Sequence, residues 1–140
     1  MGAIKNPELY ACSISMAGVT DIQDMIQDMK KYRFGRLAAQ NFVLKGFEDK
    51  DAIRENSPTK RADEYSVPLF LAHGRADQRV HYDQYTRMKH ALKKSSAKVT
   101  FMDFKDEDHF LSNQANRQKF FVGLDKFLTE TVGKSEYKKK

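Results

Sequence analysis

Three short apolar runs punctuate the chain, and longer stretches with apolar residues at helical spacing separate them. Tyr10 to Gly18 is rich in small and β-branched residues and closes on a glycine, which predicts a buried strand. A second run, Val67 to Ala72, stops at His73-Gly74. The third, Lys98 to Phe104, sets Val99, Phe101 and Asp103 on one side and Thr100, Met102 and Phe104 on the other, a period of two that predicts a strand. Between and after the runs the period lengthens. Asp21 can cap a helix running to about Tyr32, with Ile22, Met25, Ile26 and Met29 on one face. Tyr82, Tyr85, Met88, Ala91 and Leu92 mark a helix within 81–94, with Lys93 and Lys94 at its electronegative end. Phe120, Phe121, Leu124, Phe127 and Leu128 mark a last helix over about 113–132, which Gly133 can end.

Strands alternating with helices predict an α/β fold, a parallel sheet covered by crossover helices. The segment from Arg33 to Tyr65 is the least regular, with a turn at Asn56-Ser57-Pro58 and a short helix over 48–55. The residues 1–133 are expected to form one domain unit and 134–140 a basic tail.

Composition agrees with a folded domain. The 140 residues are 40% hydrophobic, with ten Phe and six Tyr, too aromatic for a disordered chain. The longest apolar run is far short of the roughly 20 residues a membrane helix needs, so no membrane partner is expected. No basic start followed by an apolar core opens the chain. Cys12, the single cysteine, is expected to be a small buried side chain, and it leaves the compartment open between cytoplasm and periplasm. The net charge of +6 changes little, because Lys134 to Lys140 holds four Lys against one Glu. No basic stripe is left for nucleic acid.

Reactive groups of parallel sheets gather in the loops beyond the carboxyl ends of the strands. Two loops qualify, His73 to Val80 and Lys105 to Phe110. Asp77 in the first and His109 in the second are separated by one helix and one strand, so neighbouring strands would set them side by side. A carboxylate bonded to an imidazole fixes its tautomer and stabilises the cation formed when it takes a nucleophile's proton. The order acid then histidine is the one α/β-hydrolases use. Simpler readings compete: a solvated histidine in an acidic loop, an Asp77 that bonds its own turn, or a metal held by Asp103, Asp106, Asp108 and His109. The last spacing matches no calcium or zinc motif, and no metal or cofactor is expected.

The whole order carries more. Pro68-Leu69-Phe70-Leu71-Ala72-His73-Gly74-x-x-Asp77-x-x-Val80, then a helix, a strand, Asp108-His109-Phe110 and a closing helix, resembles the end of the catalytic domain of the prolyl oligopeptidase family of serine peptidases. Its acylaminoacyl-peptidase and dipeptidyl-peptidase-like branches are the nearest in pattern. Asn6 to Tyr10, Ser15-x-Ala17-Gly18-Val19-x-Asp21 and Ser57-Pro58 are similar as well, so the likeness runs along nearly the whole chain.

The resemblance implies a partial α/β-hydrolase fold, three C-terminal parallel strands with crossover helices. It implies Asp77 as the acid and His109 as the general base, His73 in a structural role, and Arg75, Gln78 and Val80 shaping the acid loop. The substrate would be a peptide or acyl-amino-acid bond, with a carboxylesterase or a non-catalytic interaction module as alternatives. One part of the pattern is absent: no Gly-x-Ser-x-Gly elbow occurs in the sequence. In the family it lies just before a helix whose end resembles Met1 to Pro7. Ser13 and Ser15 fall in a strand and Ser112 near a helix cap, so no serine replaces it, and the chain alone is expected to be catalytically silent. Its first strand would then lack a neighbour, which predicts a homo-oligomer paired through that edge.

Overall fold

In the computed structural model, which describes residues 1–39 and 50–133, the three apolar runs become β1 (Ser13–Met16), β2 (Leu69–Gly74) and β3 (Val99–Phe104). They form one parallel sheet in the order β1-β2-β3, with Ser13 beside Leu69 and Leu69 beside Val99. The helices are α1 (Gly2–Lys5), α2 (Ile22–Met29), α3 (Gly35–Ala38), α4 (Lys50–Glu55), α5 (Asp83–Ala91) and α6 (Gln114–Thr131). Short 3-10 turns cover Pro7–Leu9, Pro58–Glu64 and Leu92–Lys94.

The central strand explains the layering. All six residues of β2 are buried, and their side chains alternate between two cores. Leu69 and Leu71 join Ile4, Tyr65, Tyr85, Met88 and Leu92 on the α5 side. Phe70 and Ala72 join Phe104, Leu111, Phe120 and Phe127 on the α6 side. There the Phe70 ring meets Phe120 edge-on at 5.7 Å and Phe127 at 5.5 Å. A smaller cluster of Ile22, Ile26, Ala39 and Ile53 joins α2 to α4.

Caps sit where the residue types place them. The Asp21 side chain accepts from Asp24 N–H at 3.2 Å, and Asn113 from Ala115 and Asn116 N–H at 2.9 and 3.2 Å. Gly133 takes φ +89° at the end of α6. The buried Gln84 side chain accepts from the backbone N–H of Thr20 and Asp21 and so ties the loop after β1 to α5.

Two expectations need correction. The first strand is shorter than 10–18 and is not buried: Ile14 is 44% exposed and its neighbours half-buried. Among the described residues it pairs with β2 alone, so its apolar content lacks the second neighbour that would cover it. Cys12, just before this strand, is half-buried for the same reason. Of the short helix expected over 48–55, Lys50–Glu55 is helical, and residues 48–49 and the basic tail 134–140 lie outside the described residues. No described helix is long and apolar enough to cross a membrane.

Candidate active site

Backbone bonds lock the ends of β2 and β3 together before any reactive side chain is considered. Arg75 N–H donates to Phe104 C=O and Ala76 N–H to Glu107 C=O, each at 2.9 Å. This approach needs a glycine at position 74, because a Cβ there would stand 2.4 Å from the Glu107 carbonyl oxygen and 2.6 Å from that of Asp108. The two loops therefore share one rigid base.

On that base Asp77 and His109 meet. Asp77 Oδ2 lies 2.8 Å from His109 Nδ1. Its other oxygen accepts from Arg79 N–H at 2.8 Å and Val80 N–H at 2.9 Å. Asp77 is thus a turn residue bonding its own backbone and the partner of an imidazole at once. Its side chain is fully buried, whereas that of His109 is 28% exposed. His73, buried at the end of β2, places Nε2 at 2.8 Å from Val80 C=O and 3.4 Å from Asp77 Oδ2. A carbonyl only accepts, so Nε2 of His73 carries a proton and pins the acid loop from beneath.

The histidine loop is held by its own acids. Glu107 is buried, and its Oε1 accepts from Asp108 N–H and Asn113 N–H, both at 3.2 Å. Asp108 accepts from Phe110 N–H at 2.8 Å, from Ser112 N–H at 3.2 Å and from the Ser112 hydroxyl at 2.6 Å. The Ser112 hydroxyl, then the Phe110 amide, hold the Asp108 carboxyl below its ordinary pKa. Leu111 adopts φ +53° to complete the turn and drops its side chain into the α6 core. His109 is displayed between these anchors with Nδ1 engaged by Asp77.

Other residues singled out in the sequence fall differently. Val80 shapes the acid loop through its backbone, but the Arg75 side chain leaves it to bond Asp103, which Tyr82 also reaches at 3.1 Å. Gln78 is exposed and lines a cavity of about 180 Å³ beside the loop, walled by Val19, Met25, Met29, Tyr32 and Val80. Ser112 is bound to Asp108, and Ser13 bonds Tyr65. Asp103 and Asp108 are thus engaged elsewhere, and among the described residues no three His, Cys, Asp or Glu gather to hold a metal ion. Asp108 and Phe110 flank His109 in the motif singled out in the sequence, but the anchoring roles of Glu107 and Asp108 and the stacking of Arg79 on Phe110 were not anticipated. Their signal in the sequence is only the acidic run Asp106-Glu107-Asp108 and an aromatic after the histidine.

An acid, a correctly oriented imidazole and an open Nε2 side can take a proton from a hydroxyl and return it to a leaving group.

Comparison with known proteins bears on the family and the fold. The model of the prolyl oligopeptidase family matches residues 1–135. Dipeptidyl aminopeptidase BIII of Pseudoxanthomonas mexicana is 25% identical over 135 residues, which cover 94% of this chain and 20% of that protein. A puromycin-hydrolyzing peptidase of Mycobacterium tuberculosis superposes with a TM-score of 0.78 at 24% identity, over 94% of this chain and 20% of the other. The acylaminoacyl peptidase of Pyrococcus horikoshii does so with a TM-score of 0.76 at 21% identity, over 99% and 23%. These superpositions identify the three strands and their helices as part of an α/β-hydrolase fold. The chain spans about a fifth of the length of the relatives it matches.

Proposed function

Because the chain belongs to the prolyl oligopeptidase family of serine-type peptidases, we propose that it supplies the acid and the histidine of a catalytic triad whose serine lies outside its 140 residues. The observation that carries this reading is the 2.8 Å contact between a fully buried, doubly donor-bonded Asp77 and the partly open His109.

In the proposed reaction a serine hydroxyl attacks the carbonyl carbon of a peptide or acyl-amino-acid bond while His109 Nε2 takes its proton. Asp77 stabilises the imidazolium and keeps Nδ1 protonated. The tetrahedral intermediate collapses, the C–N bond breaks, and His109 returns the proton to the leaving amine. Water then attacks the acyl-serine with His109 again as base, releasing the acid and the free serine.

The absence of a Gly-x-Ser-x-Gly elbow favours a second reading, a non-catalytic module. One experiment separates the two. The polypeptide that carries this chain together with its upstream coding sequence is treated with a fluorophosphonate and assayed on dipeptidyl and acyl-amino-acyl p-nitroanilides. Labelling and turnover are expected, with Asp77→Asn lowering kcat about 10⁴-fold and His109→Ala at least as much. The 140-residue chain alone should do neither. Failure of the longer polypeptide to label would establish the non-catalytic module, and turnover confined to short acyl esters would establish an esterase.

A further inference from the structure

Phe110 is 64% exposed and belongs to neither main core, although the next residue, Leu111, is buried in one. An isolated exposed phenyl is ordinary, but this one is restrained in three ways. Its N–H donates to Asp108 at 2.8 Å. Its ring stands perpendicular to the His109 imidazole with centroids 5.3 Å apart. The Arg79 guanidinium lies over its face at 4.8 Å, a cation-π contact between the acid loop and the histidine loop. An aromatic ring is thus fixed in solvent beside the group that handles the proton.

From this placement we propose that Phe110, steadied by Arg79, is a specificity determinant for the residue on the carboxyl side of the scissile bond, favouring a large apolar or aromatic side chain there. The argument rests on His109 acting as general acid. The imidazole gives its proton to the leaving amine, so the leaving residue is the part of the substrate nearest His109. A side chain on that residue has Phe110 as its flanking surface, and burying apolar area against a ring already held in place costs little ordering entropy. A glycine in the same position gains nothing. Because the contact is made to the leaving group, it acts on acylation and not on hydrolysis of the acyl-enzyme.

The test uses the longer polypeptide and two internally quenched peptides that differ only in Phe or Gly after the scissile bond. The unsubstituted enzyme should prefer Phe in kcat/KM, and Phe110→Ala should reduce that preference on the order of tenfold. Phe110→Leu should keep part of it. Fluorophosphonate labelling, which has no peptide leaving residue, should persist in both variants, so that the Phe-to-Gly ratio is read on protein that still reacts. As a second measurement, phenylalanine amide should intercept the acyl-enzyme better than glycine amide, and Phe110→Ala should remove the difference. Intact labelling with an unchanged Phe-to-Gly ratio would overturn the inference alone. Loss of labelling in the unsubstituted protein would overturn the serine-peptidase reading and this inference with it.

Discussion

Asp108 faces solvent, yet two backbone N–H groups and one hydroxyl converge on it, and its carboxylate charge strengthens each of those bonds. Its folded pKa lies below the ordinary 3.8. A depressed carboxyl contributes its stabilisation above the unfolded pKa and loses it as pH falls through the folded one. The turn that presents His109 is therefore expected to stay intact from neutral pH down to about the ordinary carboxyl value, and to loosen below it. Amide resonances of Phe110 and Ser112 should titrate together with a midpoint under 3.8, and Asp108→Asn should abolish that titration. A midpoint above the ordinary value would contradict the hydrogen bonding described. At this scale the contact between Asp77 and His109 was legible in the sequence and its supports were not. Asp77 and His109 follow from loop order, whereas the roles of Glu107 and Asp108 depend on a backbone turn through Leu111 at φ +53° that no residue type there announces.

Helix α6 links the histidine loop to the core. Its N-terminus shares Glu107 with that loop through Asn113 N–H, and its body carries Phe120 and Phe127 against Phe70. Replacing Asn113 by Ala leaves the N–H groups of Ala115 and Asn116 without their side-chain acceptor and should cost about 1 kcal/mol, read as a lower urea midpoint at unchanged m. The buried Glu107 bond is to the backbone and survives this change, so His109 should keep its place beside Asp77. Elements of this kind were legible because their causes are local: Asp21 and Asn113 are capping side chains and Gly133 a left-handed stop. The first strand was misjudged because burial is not local. Ser13–Met16 has the composition of a covered strand and, among the described residues, one neighbour. Arg75 was likewise assigned to its own loop, while its long side chain found Asp103 on the adjacent strand, a partner set by sheet register.

Among the described residues of the whole molecule, that first strand is left half-paired. Ser13 N–H bonds Pro68 C=O and Ala17 N–H bonds Ala72 C=O. In a parallel ladder alternate residues serve one neighbour, so the amides of Ile14 and Met16 point to the open edge. Around that edge Leu9, Tyr10 and Ile14 are 73%, 43% and 44% exposed. Unpaired donors and acceptors flanked by apolar side chains form a template for another strand. We propose that, in the 140-residue chain on its own, a second copy fills this place. The net charge of +6 opposes association only weakly, since half of the excess sits in residues 134–140, remote in sequence from the edge. Sedimentation should therefore give a mass above the 16.2 kDa of one chain and rising with concentration. Ile14→Lys puts a cation into the contact and should return the chain to one copy. A chain that sediments as a single copy at every concentration, without any substitution, would show that the open edge is protected by other means.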